Sequence, residues 1–303
     1  MPVCVAEYLG QRTDGDFKIL PAVKPEMCPF MNAECTKLNQ RNKPVCSVRK
    51  NDGSFWIVCR DRLCSTKKNI PLADYQKNIL KSVAETIFPD TIKPENIIYR
   101  RETPINFSSS SKMRSMADYI MCLHDIPNGS SLKCPDKVVL EMQGGGETSN
   151  TGNLTKHVDE WERSGSFSSK ILGQQVKGVN TLETNAWRRQ QEQFLVKGNI
   201  ALQSKGGMVF CVGPLLFDLL LEKVKKATVS DLRTFGWSLA LVSFKELQEY
   251  PSKPDSVKLI IDDKRLLFTS YHAFTRALTD QGEPSNTIFT GEFSDFSGKI
   301  VTI

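Results

Sequence analysis

Two carboxylates and an amide stand at a spacing suited to gripping a divalent cation: Asp118, then Glu141 after 22 intervening residues, then Gln143 two positions on. Metal-assisted hydrolysis of a phosphodiester needs carboxylates that fix one or two Mg ions against the scissile phosphate, so that water is activated and the leaving oxygen is stabilised. Asp118 lies at the start of the apolar run ADYIMCLHDI, and Glu141 closes the run KVVLEMQ, where the chain breaks on Gly144, Gly145 and Gly146. Side chains alternate along a strand, so Gln143 shares a face with Glu141, and the carbonyl of Met142 between them is a further candidate ligand. The glycines would let a phosphodiester backbone approach closely. The bland reading of the same stretch is a strand that ends in a turn with its polar side chains in water.

A second cluster is built from thiols. Of nine cysteines, Cys28, Cys35, Cys46, Cys59 and Cys64 fall in one short region, whereas Cys4, Cys122, Cys134 and Cys211 stand singly among apolar neighbours, as packing residues do. Cys28, Cys35, Cys46 and Cys59 are separated by 6, 10 and 12 residues. That is looser than paired CxxC knuckles, yet four thiolates suit a tetrahedral Zn or Fe ion. Such a site is closed and would hold a small module together rather than catalyse. Cys64 is a fifth candidate, and free buried thiols are the alternative to a metal.

These groups need elements to carry them. PVCSVR and SFWIVCR flank the turn NDG, a hairpin signal that puts two of the cysteines on paired strands. Residues 72–88 place Tyr75, Ile79, Val83 and Ile87 at helical spacing, which predicts a helix opening a second unit. The polar stretch NGSSLKCPD then joins the strands of Asp118 and Glu141, bringing both to one sheet edge, about one strand spacing of 4.8 Å apart. A helix from about Asn185 places Trp187, Phe194, Leu195, Ala201 and Leu202 on one face, with Arg188, Arg189, Gln193 and Lys197 on the others. GGMVFCVG reads as a buried strand, Pro214 opens a further helix, and WSLALVSFKEL, VKLIIDD and RLLFTSYHAFTRAL complete a mixed α/β layout without repeats.

Composition bounds the function. Hydrophobic residues at 40% and charged residues at 24% are ordinary for a globular chain, no apolar run is long enough to span a bilayer, and the start lacks the pattern of a secretory signal. A cytoplasmic protein with no membrane partner is predicted. A net charge of +6 suits a polyanionic partner without demanding one. The three histidines, His124, His157 and His272, form no HExxH, and there is no GxGxxG, P-loop or GxSxG motif, so zinc-hydrolase, nucleotide-binding and serine-hydrolase chemistry lack their residues.

The pattern D-x(22)-E-x-Q is that of the PD-(D/E)xK nucleases with glutamine in place of the usual lysine. Together with VAEYLGQR, MCPF, EC, PVCSV, IVCRDR, RRETPINF, MADYIM and VVLEMQ, it makes the chain resemble the NotI-type restriction endonucleases over most of its length. The resemblance implies an α/β PD-(D/E)xK core of mixed central sheet flanked by helices over residues 71–303, preceded by a Cys4 module over residues 1–70. It implies iron, with zinc the alternative, held by Cys28, Cys35, Cys46 and Cys59, leaving Cys64 out. It further implies Mg held by Asp118 and Glu141, a catalytic set of Asp118, Glu141, Gln143 and the upstream Glu102, and a homodimer that cuts a GC-rich palindrome in double-stranded DNA. Glutamine can only hydrogen-bond the attacking water, which predicts a strict requirement for the divalent ion.

Lys and Arg on phosphates should set affinity, and arginines in the major groove should read guanine. Arg188, Arg189, Arg101 and Arg114, with Arg100 beside them, are the candidates. A bacterial cytoplasm and a cognate methyltransferase that protects host DNA complete the expectation. The rivals are a DNA-binding protein that does not cleave, and a repair or homing nuclease on the same fold.

Overall fold

The computed structural model describes residues 2–39, 43–64, 68–106, 115–125, 132–224, 229–280, 290–294 and 296–302. The amino-terminal region carries β1 (Val3–Tyr8), β2 (Gln11–Arg12), the short α1 (Thr36–Asn39), β3 (Val45–Lys50) and β4 (Phe55–Ile57). β3 and β4 pair antiparallel across the NDG turn, as the sequence predicts. Cys46 sits in β3, and Cys59 follows just past the end of β4. A single 3-10 turn, Arg60–Arg62, leads out of this region.

Helix α2 (Asp74–Ile87) buries Ile79, Val83 and Ile87 of the stripe anticipated from its spacing, together with Leu80 and Ala84, while Tyr75 is half-buried. β5 (Ile97–Ile105), β6 (Ser115–Leu123) and β7 (Lys137–Gln143) follow as an antiparallel meander. β6 and β7 are neighbours, as the sequence predicts. α3 (Thr151–Ser164), α4 (Ser169–Leu172) and β8 (Gln175–Val176) come next, and β8 returns to pair with β1. The last part holds α5 (Glu183–Gln203), β9 (Gly207–Val212), α6 (Pro214–Lys223), β10 (Leu239–Glu246), β11 (Leu259–Thr269) and α7 (Tyr271–Thr279), then a hairpin of β12 (Glu292–Ser294) and β13 (Ile300–Thr302). VKLIIDD and RLLFT, predicted as separate segments, run together as β11; buried Asp262 accepts from the Lys264 backbone and from Arg265, which satisfies a carboxylate in mid-strand.

The central sheet has six strands in the order β11-β10-β9-β7-β6-β5. β9 runs parallel to both β7 and β10, and the other pairs are antiparallel. Every residue of β9 is buried, which is why GMVFCV reads as a continuous apolar run. One apolar layer joins α2 to Tyr119, Leu140, Val209 and Ala240 of the sheet. The other joins Trp187 and Phe194 of α5, with Leu216 and Phe217 of α6, to Phe210 and Val212, and it continues without a break into Val3, Val5, Val48 and Trp56 of the amino-terminal sheet. The mixed α/β layout with helices flanking a mixed sheet is thus observed. Among the described residues no helix is long and apolar enough to cross a membrane.

The three glycines after β7 have a different partner from the DNA anticipated for them. β4 bridges Gly145 in parallel through Ile57, and Gly146 donates to the Ile57 carbonyl at 3.1 Å. A Cβ on Gly145 would stand 2.6 Å from that carbonyl oxygen, and one on Gly213 would stand 1.8 Å from the Gly144 oxygen. The protein's own backbone fills the space, so side chains are excluded by steric contact within the fold.

Candidate active site

Three carboxylates stand side by side across three strands. β5 and β6 pair Arg101 with Tyr119 and Thr103 with Ala117, so Glu102 falls opposite Asp118. β6 and β7 pair Tyr119 with Leu140, and one step further that register sets Asp118 opposite Glu141. β9 extends the row by placing Phe210 beside Glu141. Neighbouring strands are about 4.8 Å apart and residues in one such row point to one face, so the carboxylates converge without help from any loop. Glu102 reaches the row with φ +40, a left-handed conformation inside a strand, of the kind held where surrounding structure over-determines it. Its Oε2 accepts from the Lys68 backbone N–H at 2.6 Å.

The pair Asp118 and Glu141 is laced together by the backbone. Asp118 N–H donates to Glu141 Oε1 at 3.3 Å, and Met142 N–H donates to Asp118 Oδ2 at 2.9 Å. Burial raises the Asp118 carboxyl above its usual range, against the Met142 donor and the Lys197 charge. Glu141 is pushed up to about 8, first by burial and next by the charge of Asp118, with Lys197 opposing both. Carboxylates this close cannot all ionise cheaply on the single charge of Lys197.

That shift has a sign. The folded, metal-free protein holds a proton on Glu141 more tightly than the unfolded chain does, so the stabilisation is complete below the ordinary value of 4.5 and is lost as pH rises through about 8. Thermal unfolding of metal-free protein should therefore show stability falling between pH 5 and pH 9, on the order of a few kcal/mol. Glu141→Gln should flatten that part of the profile. An unchanged profile in the variant would remove Glu141 as its source.

Sequence reasoning missed one member of the site. Lys197 was assigned to an outer face of the helix, yet it is 4% exposed, with its Nζ 2.6 Å from Glu141 Oε2 and 3.1 Å from Gln193 Oε1. At about 100° per residue, Lys197 lies roughly 60° from Phe194 and roughly 40° from Ala201, on the edge of the buried stripe. Leu195, placed on that stripe by the sequence reading, is rotated off it and is 36% exposed. A lysine bordering an apolar stripe was the available signal.

A pocket of about 200 Å³ opens over the row, lined by Arg60, Glu102, Asp118, Glu141, Gln143 and Gln193 among others. Gln143 donates one N–H from Nε2 to the Gly145 carbonyl, which leaves its amide oxygen and the second N–H to meet a ligand. Arg60 is largely exposed at the rim, and its neighbour Asp61 is buried, accepting from Thr36 Oγ1 at 2.9 Å. A larger cavity of about 600 Å³ between α2 and the β5–β6 edge lacks any comparable row of strand carboxylates.

The cysteines divide as follows. Cys28, Cys35, Cys46 and Cys59 share one buried cluster with Phe30, Met31 and Leu38. Cys28 and Cys35 come from a turn tied by a Met27 to Glu34 bridge, and the Cys59 N–H donates to the Cys46 carbonyl at 3.1 Å. Cys64 belongs elsewhere: its thiol lies 3.0 Å from the Tyr119 hydroxyl at the carboxylate pocket. Burial raises the Cys28 thiol to about 12 and also lifts Cys46 and Cys59. Among the described residues, no three His, Cys, Asp or Glu side chains form a ready-made metal cage, either in this cluster or at the carboxylate row.

The predicted DNA-contacting arginines are placed unevenly. Arg188 and Arg189 are exposed on α5, and Arg189 is paired with Glu147. Arg101 donates to the carbonyls of Ile70 at 2.7 Å and Lys68 at 3.0 Å, which fastens the segment beside Glu102. Arg100 is exposed and donates to Thr103 Oγ1. Arg114 lies outside the described residues.

No protein-family model matches the chain, and no curated protein matches it. The resemblance to NotI-type endonucleases therefore rests on the residues quoted for it.

Proposed function

We propose that the protein is a Type II restriction endonuclease of PD-(D/E)xK architecture, a homodimer that cleaves double-stranded DNA at a GC-rich palindrome with Mg. The observation that carries the reading is the cross-strand row of Glu102, Asp118 and Glu141 beneath an open pocket, with a buried lysine on the last carboxylate. The donor set fits Mg, which is commonly held by one or two carboxylates plus substrate phosphate rather than by an all-protein cage. Asp118 and Glu141 would hold it. When bound, it supplies Lewis-acid stabilisation of the phosphate and lowers the pKa of a water.

The chain's own residues do the remaining work. Gln143, its Nε2 tied back to Gly145, offers its oxygen to a hydrogen of the attacking water. The water oxygen bonds to phosphorus in line and gives up a proton to solvent, the opposite bond to the sugar oxygen breaks, and that oxygen takes up a proton from a second water. Arg60 at the rim and Arg188 and Arg189 on α5 meet the DNA through phosphates or guanine edges.

The four buried thiols fit Fe or Zn in kind, being soft donors, and the burial-raised pKa values of Cys28, Cys46 and Cys59 mean that metal uptake releases protons. Their role is to brace the turn that carries Arg60. A cognate methyltransferase protects the host's own copies of the site.

Incubating the purified protein with a long DNA and Mg, then sequencing the fragment ends, tests the reading. Discrete fragments sharing one palindrome at their ends are expected. Binding without cleavage would establish the non-cleaving alternative, and cuts at damaged or asymmetric positions the repair or homing alternative. Metal analysis should find one Fe or Zn per chain, and its absence would leave the cysteines as packing thiols.

A further inference from the structure

The buried Glu141–Lys197 pair raises a question of economy. Replacing a buried ion pair with well-packed apolar residues is often neutral or stabilising, so structure alone gives little reason for an ammonium at the edge of the stripe that carries Phe194 and Ala201. Its second contact is informative. A lysine ammonium has three donors and no acceptor, so the atom of Gln193 that meets Lys197 Nζ must be the amide oxygen. The NH2 of Gln193 is thereby turned away from Lys197. Gln193 is exposed and lines the carboxylate pocket, as does Gln190 one turn earlier on the same helix.

The two amides of the pocket are thus set in opposite senses. Gln143 has one N–H tied to Gly145 and presents its acceptor oxygen beside the second N–H; Gln193 has its oxygen on Lys197 and keeps two donors. Phosphodiester hydrolysis uses both kinds of group, an acceptor for the attacking water and a donor for the non-bridging oxygen on which charge builds.

We infer that Gln193 donates to a non-bridging oxygen of the scissile phosphate, and that Lys197 is the positioning residue that orients the Gln193 amide and the Glu141 carboxylate together. This rests on the nuclease reading and assigns α5 a role in the chemical step. One helix then presents Arg188 and Arg189 to the DNA and Gln193 to the reacting phosphate.

The test uses the full chain, a duplex carrying its cleavage site, and single-turnover rates in saturating Mg. Gln193→Leu should slow cleavage about 100-fold, the usual effect of losing one donor to a developing oxyanion, while DNA affinity in Ca and thermal stability stay near wild type. Gln193→Glu, which keeps a Lys197 partner but presents an acceptor, should be at least as slow. Lys197→Met should slow cleavage further, and adding Gln193→Leu to it should cost little more, because both act through one amide. Lys197→Arg keeps a donor on the same helix position and should recover part of the loss.

A Gln193→Leu rate within threefold of wild type, with Glu141→Ala inactive, would overturn this inference and leave the nuclease reading standing. Additive losses in the double variant would overturn the coupling through Lys197. Intact DNA with the wild-type protein and Mg would overturn both the inference and the reading beneath it. Gln193 is exposed, so its variants remain informative even where Lys197→Met impairs folding.

Discussion

Glu141→Ala is expected to lower the single-turnover cleavage rate by on the order of 10³ to 10⁴, equivalent to about 4 to 5.5 kcal/mol of lost transition-state stabilisation. The size follows from position. Glu141 accepts from the Asp118 backbone and from Lys197. Removing it takes away one of the two expected Mg ligands and leaves a buried ammonium with Gln193 alone as partner. DNA binding in Ca should persist, since on the proposed reading exposed arginines and lysines outside the row are expected to make most of the phosphate contacts. Raising Mg should recover little activity in Glu141→Ala. Asp118→Ala should behave similarly, whereas Glu102→Ala, at the end of the row farthest from Lys197, should retain more rate. Full cleavage by Glu141→Ala would refute the assignment of the active site.

The largest effect on stability is expected at Arg62. Its guanidinium is fully buried, with Nε 2.6 Å from Glu7 Oε2 and Nη2 3.0 Å from Glu7 Oε1, and it also donates to the Tyr75 hydroxyl and the Val257 carbonyl. Glu7 in turn accepts from Ser47 Oγ and from the Val257 backbone N–H. The Arg62 guanidinium stacks 4.3 Å over the Phe30 ring beside the cysteine cluster. Arg62→Ala leaves Glu7 charged and without its counter-ion in the interior, and should destabilise the fold by about 3 to 5 kcal/mol in denaturant unfolding. Arg62→Met combined with Glu7→Leu should recover most of the loss, because the cost lies mainly in the orphaned charge. A double variant no better than Arg62→Ala would place the loss in packing and the Tyr75 and Val257 contacts instead.

The parts of the site that were legible in the sequence are those set by local rules. Strand alternation and a polar connector place Asp118 and Glu141 next to each other, and the NDG turn predicts β3 and β4, because both signals act within a few residues. Lys197 was not legible in the same way. It reaches Glu141 only through the packing of α5 on β7, a contact between segments 56 positions apart. The glycines misled for a related reason: an open backbone reads as room for a ligand, and only the fold reveals that Ile57 and Gly213 occupy it. The register that puts Glu102 in line likewise depends on pairing β5 with β6 across residues the chain order separates. The cysteines stand out as a group by density, the family resemblance alone separates the four from Cys64, and the fold places them in different buried clusters.

Cys59, Arg60, Asp61 and Arg62 are consecutive, yet they serve the thiol cluster, the rim of the pocket, Thr36 and the interior pair with Glu7 in turn. In engineering terms the first seventy residues are therefore not a cassette. A chain begun at residue 71 would lose the arginine at the mouth of the site, the Ile57 edge against which the glycines close, and the apolar side chains of β1, β3 and β4 that complete the layer under α5. Exchanging this region between proteins of the same build would require carrying the four-residue turn and both of its anchors together, because a graft that matched the cysteines alone would import the cluster and misplace the arginine.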